Sequence, residues 1–148
     1  MSQSVLLLLA TGAGACIALQ AAANGSLRTV TQSPAWTAFF SICGTFTCAI
    51  LLMLTFRPSA PAMADVRQTA WWHWIGGPLG AIIVLSGAVL TPRLGAAAFL
   101  ACVIAGQLIC SVFLDQFGLM GLVEREITLG RAVGAVFVIG GAVMIRYL

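Results

Sequence analysis

Charge is what this sequence has least of. Only 7% of its residues are Asp, Glu, Lys or Arg, where a globular domain usually carries about 25%. Lysine is missing altogether, so the seven bases are all arginine, set against four acids. So few charges cannot clothe a surface in water, and 61% of the chain is hydrophobic, with a mean hydropathy of +1.06. The solvent around most of the chain is therefore lipid. The arginines stand singly between apolar runs instead of sharing one basic face, which sets nucleic-acid binding aside. Histidine occurs once, as His73 among tryptophans, where it reads as a headgroup-level residue. The five cysteines (Cys16, Cys43, Cys48, Cys102 and Cys110) all lie within apolar runs and form no CxxC pair. That excludes a metal site and a disulfide framework, and leaves the cysteines as small packing residues. The apolar runs hold no histidine, acid pair or nucleophile–base set, so enzyme chemistry and a cofactor are not expected.

Long apolar runs are what the chain has instead. A membrane-spanning helix needs about 20 mostly apolar residues, and five segments qualify, which predicts an all-α, integral membrane bundle in one domain over 1–148. The first covers 4–23 and ends at Asn24-Gly25. Its apolar character continues past Cys16 and no positive charge precedes it, so it reads as a span and not as a cleaved signal. The second covers 34–56, opening at Ser33-Pro34, where Ser can cap and Pro suits the first helical position. Arg57-Pro58 closes it, and a Pro/Ala-rich loop over 58–68 follows. The third covers 72–90 and stops at Thr91-Pro92. After a short turn around Arg93 the fourth covers 94–114, and the fifth covers 128–145. The stretch 117–123, broken by Gly118 and Gly121, reads as an interfacial or partly re-entrant connection. Trp36, Trp71, Trp72, Trp74 and Tyr147 fall at span ends, where interfacial aromatics belong.

With five spans the chain's ends lie on opposite sides. Arg57, Arg67, Arg125 and Arg131 share the side of the N-terminus, and Arg28, Arg93 and Arg146 take the other. The positive-inside rule orients a protein by a lopsided count, and four against three is nearly level. Such a chain can insert both ways, and two copies can pair upside down. The predicted assembly is an antiparallel, dual-topology dimer of ten helices. Inverted halves around a midplane site are a recurring transporter architecture.

Polar groups inside a bilayer are costly and turn towards the bundle interior or a wet cavity. Gln20 and Asn24 are four apart and share a helix face. Gln107, Ser111 and Asp115 form a second stripe at steps of four. Ser41 and Thr45 form a third, with Thr37 a turn earlier and Cys48 near the same face. Gln20, Asn24, Ser41, Thr45, Gln107 and Ser111 are the candidate substrate-binding residues. They serve equally as interhelical glue, each such bond being worth about 0.6 kcal/mol on average in one measured membrane protein. For the hydroxyls, which can bond their own backbone, the glue reading is favoured. Asn24 can instead simply end its helix. Asp115 lies on the side where Arg131 begins the last helix, as a structural pair or as a gating or proton-coupling acid. Gly76-Gly77-Pro78-Leu79-Gly80 either interrupts a helix at a cavity or permits close helix contact. Gly130 and Gly134 are the candidate dimer contact.

Several ordered blocks carry a resemblance: Gly14-Ala15-Cys16-Ile17-Ala18-Leu19-Gln20-Ala21-Ala22-Ala23-Asn24 with Ser33-Pro34, Gly76-Gly77-Pro78-Leu79-Gly80-Ala81, and Thr91-Pro92-Arg93-Leu94-Gly95. Ala105-Gly106-Gln107 through Asp115-Gln116-Phe117-Gly118-Leu119, and then Arg131 leading a Gly-rich helix, complete it. The whole chain resembles the YdcZ-like family of the drug/metabolite transporter superfamily. The resemblance implies a five-helix protein of the bacterial inner membrane, working as an antiparallel pair with a second copy or an oppositely oriented paralogue. It also implies transport of a small molecule, a polar metabolite or a xenobiotic, without naming one. The neighbouring small multidrug-resistance proteins carry a glutamate deep in the first helix. Here that helix has none, and a proton/drug exchange through a central glutamate is not supported. The competing function is a non-transporting membrane accessory or assembly subunit.

Overall fold

A computed structural model describes residues 2–147. Its helices are α1 (Gln3–Thr31), α2 (Pro34–Phe56), a short α3 (Met63–Arg67), α4 (Gly76–Leu94), α5 (Ala96–Gln116) and α6 (Leu129–Tyr147). A 3-10 turn at Trp71–Trp74 runs into α4, and another, Leu119–Gly121, follows α5. Five of the helices, all but α3, are long and apolar enough to cross a membrane.

Two helix ends differ clearly from those read in the sequence. Asn24-Gly25 does not end α1, which runs on to Thr31 and is closed by Gln32 in the left-handed conformation (φ 53°), its N–H bonded to Arg28 O at 2.9 Å. Both residues of that pair are buried in the bundle, so tertiary packing overrides their poor helix propensity. At 29 residues α1 rises about 43 Å, well beyond a hydrocarbon core of about 30 Å. Thr91-Pro92 does not end α4 either. Pro92 sits in its last turn, and the reversal is made by Gly95 alone (φ 82°), a backbone shape that side chains resist. The start of α2 is as its residues suggest, with Pro34 first and Ser33 accepting a bond from Trp36 N at 3.4 Å. Past α5 the chain makes one 3-10 turn, with Gly118, Met120 and Gly121 all at positive φ, and then extends towards α6.

The interior is built from small residues. Of the seven buried apolar residues among those described, six are alanine and the other is Phe99. The big aliphatic and aromatic side chains point outward instead. Lipid is as apolar as leucine, so burying leucine between helices gains little, whereas small residues let backbones approach. The approach is closest between α1 and α4. A Cβ added to Gly25 would lie 3.1 Å from Thr91 Cγ2, and one added to Gly87 would lie 3.9 Å from Ala21 Cα. Ala21 and Gly25 are four apart, as are Gly87 and Thr91, so the two helices run parallel in matched register. Here α2 and α5 flank the α1–α4 pair, and α6 packs chiefly on α5. The five cysteines are exposed on the single chain; they do not pack its interior, as the sequence suggested.

Candidate functional site

A cavity of about 580 Å³ opens between α1, α2, α4 and α5, a volume within the usual range for small-molecule sites. From α1 come Ile17 and Gln20, from α2 Thr45 and Phe46, and from α5 Gln107. These positions fall near the middle of their helices. The first half of α4 supplies the remaining wall through Gly76, Gly77 and Gly80. A Cβ at any of the three would meet nothing within 4 Å. Between the two readings of this glycine block, the structure places it against open space. Close helix contact is made elsewhere, at Gly25 and Gly87.

The candidate polar residues divide by what their side chains touch. Gln20, Thr45 and Gln107, from three separate stripes, meet around the one cavity. Gln20 and Gln107 remain exposed on the single chain. The Thr45 hydroxyl donates to Ser41 O at 3.1 Å, so it can meet a solute only as an acceptor. Asn24, 6% exposed, lies deeper, in a small pocket of about 10 Å³ that it shares with Gln20 between α1, α4 and α5. Ser41 and Ser111 are not in the cavity wall; Ser111 donates to Leu108 O at 3.0 Å. Thr37 is fully buried, sharing a hydrogen bond of 2.8 Å with Thr31 and donating to Ser33 O at 3.0 Å. It locks the α1–α2 hairpin.

No charged side chain among the described residues lines the cavity. An ion moved into so apolar a space loses hydration worth several kcal/mol. A hydrogen bond between an amide and a charged group returns about 1.5–3 kcal/mol net, and a cation over a ring such as that of Phe46 gains roughly 0.5–2 kcal/mol. Desolvation outweighs either contact taken singly.

At the end of the bundle shared with the N-terminus, Asp115 on α5 forms an ion pair with Arg131 on α6. The same guanidinium donates to Arg125 O at 3.1 Å and Glu126 O at 3.3 Å. Asp115 O accepts from Arg125 N at 2.8 Å, and Gln116 Oε1 accepts from Ile127 N at 2.7 Å. The connection between α5 and α6 is thereby pinned onto the end of α5. The parts played by Gln116 and Arg125 escaped the sequence reading because backbone partners leave no trace in residue spacing. Gly130 and Gly134 have nothing within 4 Å of an added Cβ, so this face of α6 is uncovered.

Five helices long and apolar enough to cross a membrane, four of which line an open cavity of solute size, define a multi-pass membrane protein. Residues 5–144 match a family described as "Putative inner membrane exporter, YdcZ". The chain belongs to that family, a branch of the drug/metabolite transporters, and is thus a multi-pass inner-membrane protein of an exporter family. Neither a curated protein nor a solved structure matches it.

Proposed function

We propose that the chain is an exporter of a small metabolite or xenobiotic, working by alternating access as an antiparallel dimer, with the cavity as its transport site. One observation carries this reading: Gln20, Thr45 and Gln107, each a polar position near the middle of a different helix, converge on one space large enough for a solute. Polar amides left against hydrocarbon would be costly, so this side of the chain calls for water, substrate or a second chain. In this scheme Gln20, Thr45 and Gln107 contact the solute, and Asn24 holds the deep end. Ser41 and Ser111 act through their helices, and the Asp115–Arg131 pair is the gate. The uncovered Gly130–Gly134 face of α6 is the contact with the second copy or an oppositely oriented paralogue. An accessory or assembly subunit would have no need of such a cavity, which is why transport is preferred.

The test is a solute screen on reconstituted vesicles, with protein-free vesicles as the control. A flux that depends on the protein should fall at least tenfold in Gln107→Ala and change its rate in Asp115→Asn. If both variants left every such flux untouched, the site assignment would be wrong.

A further inference from the structure

We infer that the cavity selects an uncharged, largely apolar molecule carrying one or two hydrogen-bonding groups, and rejects permanent cations and anions. The inference rests on the proposed reading of the cavity as the transport site and narrows the choice between polar metabolite and xenobiotic towards the apolar side. Three observations on the wall support it. Its polar side chains are two amides and one hydroxyl, all neutral at any physiological pH. The charged groups nearest along the helices stand at the ends of the bundle. Arg131 is already engaged there by Asp115 and by two carbonyls, while Arg28 lies in the last turn of α1. The rest of the wall is aliphatic, aromatic or bare glycine backbone, surfaces that favour apolar contact.

The two amides set the polar end of the ligand. Each offers a carbonyl oxygen and an NH₂ group, so a hydroxyl, an amide or a neutral acid can be met as donor and as acceptor. Neither amide can neutralise a full charge, and no single contact in the wall returns the hydration that an ion loses. The glycine wall sets the apolar end. With no Cβ at Gly76, Gly77 or Gly80, a flat ring can lie directly against the α4 backbone, in a cavity whose wall also holds Phe46.

Three diphenyl probes of similar size separate the possibilities: benzanilide (neutral), benzyldimethylphenylammonium (cation) and diphenylacetate (anion). Binding is measured by titration calorimetry on the full chain in nanodiscs, with empty nanodiscs subtracted to remove partition into lipid. Benzanilide should bind saturably, weaken about three- to tenfold in Gln107→Leu, and be lost in Gly80→Leu, which fills the cavity. Gly77→Val provides a second filled variant should Gly80→Leu not fold. The two ions should bind at least tenfold more weakly than benzanilide. If either ion binds as tightly as benzanilide and is expelled by the filling variants, the transport-site reading stands and the substrate class is overturned. If benzanilide binding survives both fillings, or none of the probes binds, the site itself is misplaced and both proposals fall.

Discussion

Asp115 holds together one corner of the bundle through both its side chain and its backbone. Its carboxylate pairs with Arg131 while its carbonyl accepts from Arg125 N, so the last turn of α5, the connection and the first turn of α6 form one network. The two side chains are 32% and 28% exposed for Arg131 and Asp115, intermediate between a screened surface pair and a fully dry one. A double-mutant cycle with Asp115→Asn and Arg131→Gln should therefore show a coupling of about 0.5–3 kcal/mol in detergent unfolding. Additivity of the two substitutions would mean that the pair contributes nothing. This pairing was open to sequence reasoning because it needs only an acid at one helix end and a base at the start of the next. Ser111 shows the opposite case. Its spacing from Gln107 is right for a shared stripe, yet its hydroxyl is satisfied by its own helix at Leu108 O. Period alone cannot tell a side chain that needs a partner from one that already has one. Gln107 has no such local escape, and it is the member of the stripe that reaches the cavity.

The length of α1 is decided by α4. Asn24-Gly25 has the composition of a helix stop, and in isolation it would weaken the helix. Against Gly87 and Thr91 the same residues are what permits contact, because Gly25 has no side chain where Thr91 stands. Apolar length made the spans legible in the sequence. The real end of α1 was not, because it depends on a neighbour some sixty residues away along the chain. Two glycines of α1 should respond differently to the same substitution. Gly25→Leu should destabilise the protein by about 1–3 kcal/mol through overpacking, since the nearest atoms belong to a short β-branched side chain with little room to yield. Gly14→Leu, with nothing within 4 Å of its Cβ, should melt within a degree or two of the parent. Similar losses in both would show that the substitutions act through helix formation and not through the α1–α4 contact.

The whole chain leaves most of its large apolar side chains uncovered, which lipid accommodates, and two cavity amides uncovered, which lipid does not. The proposed second copy would arrive inverted, and α6 offers a geometric test of the inversion. Its midpoint falls at Val138. In an antiparallel pair related by a two-fold axis, residues near the midpoint meet their own copies, while residues near one end meet the other end of the partner helix. On a cysteine-free background, Phe137→Cys should therefore cross-link to itself through a short bifunctional thiol reagent. Gly130→Cys should cross-link to Ile145→Cys, and Gly134→Cys to Gly141→Cys, when the two variants are co-expressed. A parallel pair reverses the pattern: Gly130→Cys and Gly134→Cys would each couple efficiently to themselves, and the mixed pairs would not form. The same membranes report orientation, because a membrane-impermeant maleimide added outside sealed cells would label a cysteine placed near the N-terminus in only part of the population. Complete labelling or complete protection would mean a single orientation. The inverted partner would then have to be a different chain, because one sequence inserted one way cannot supply both halves.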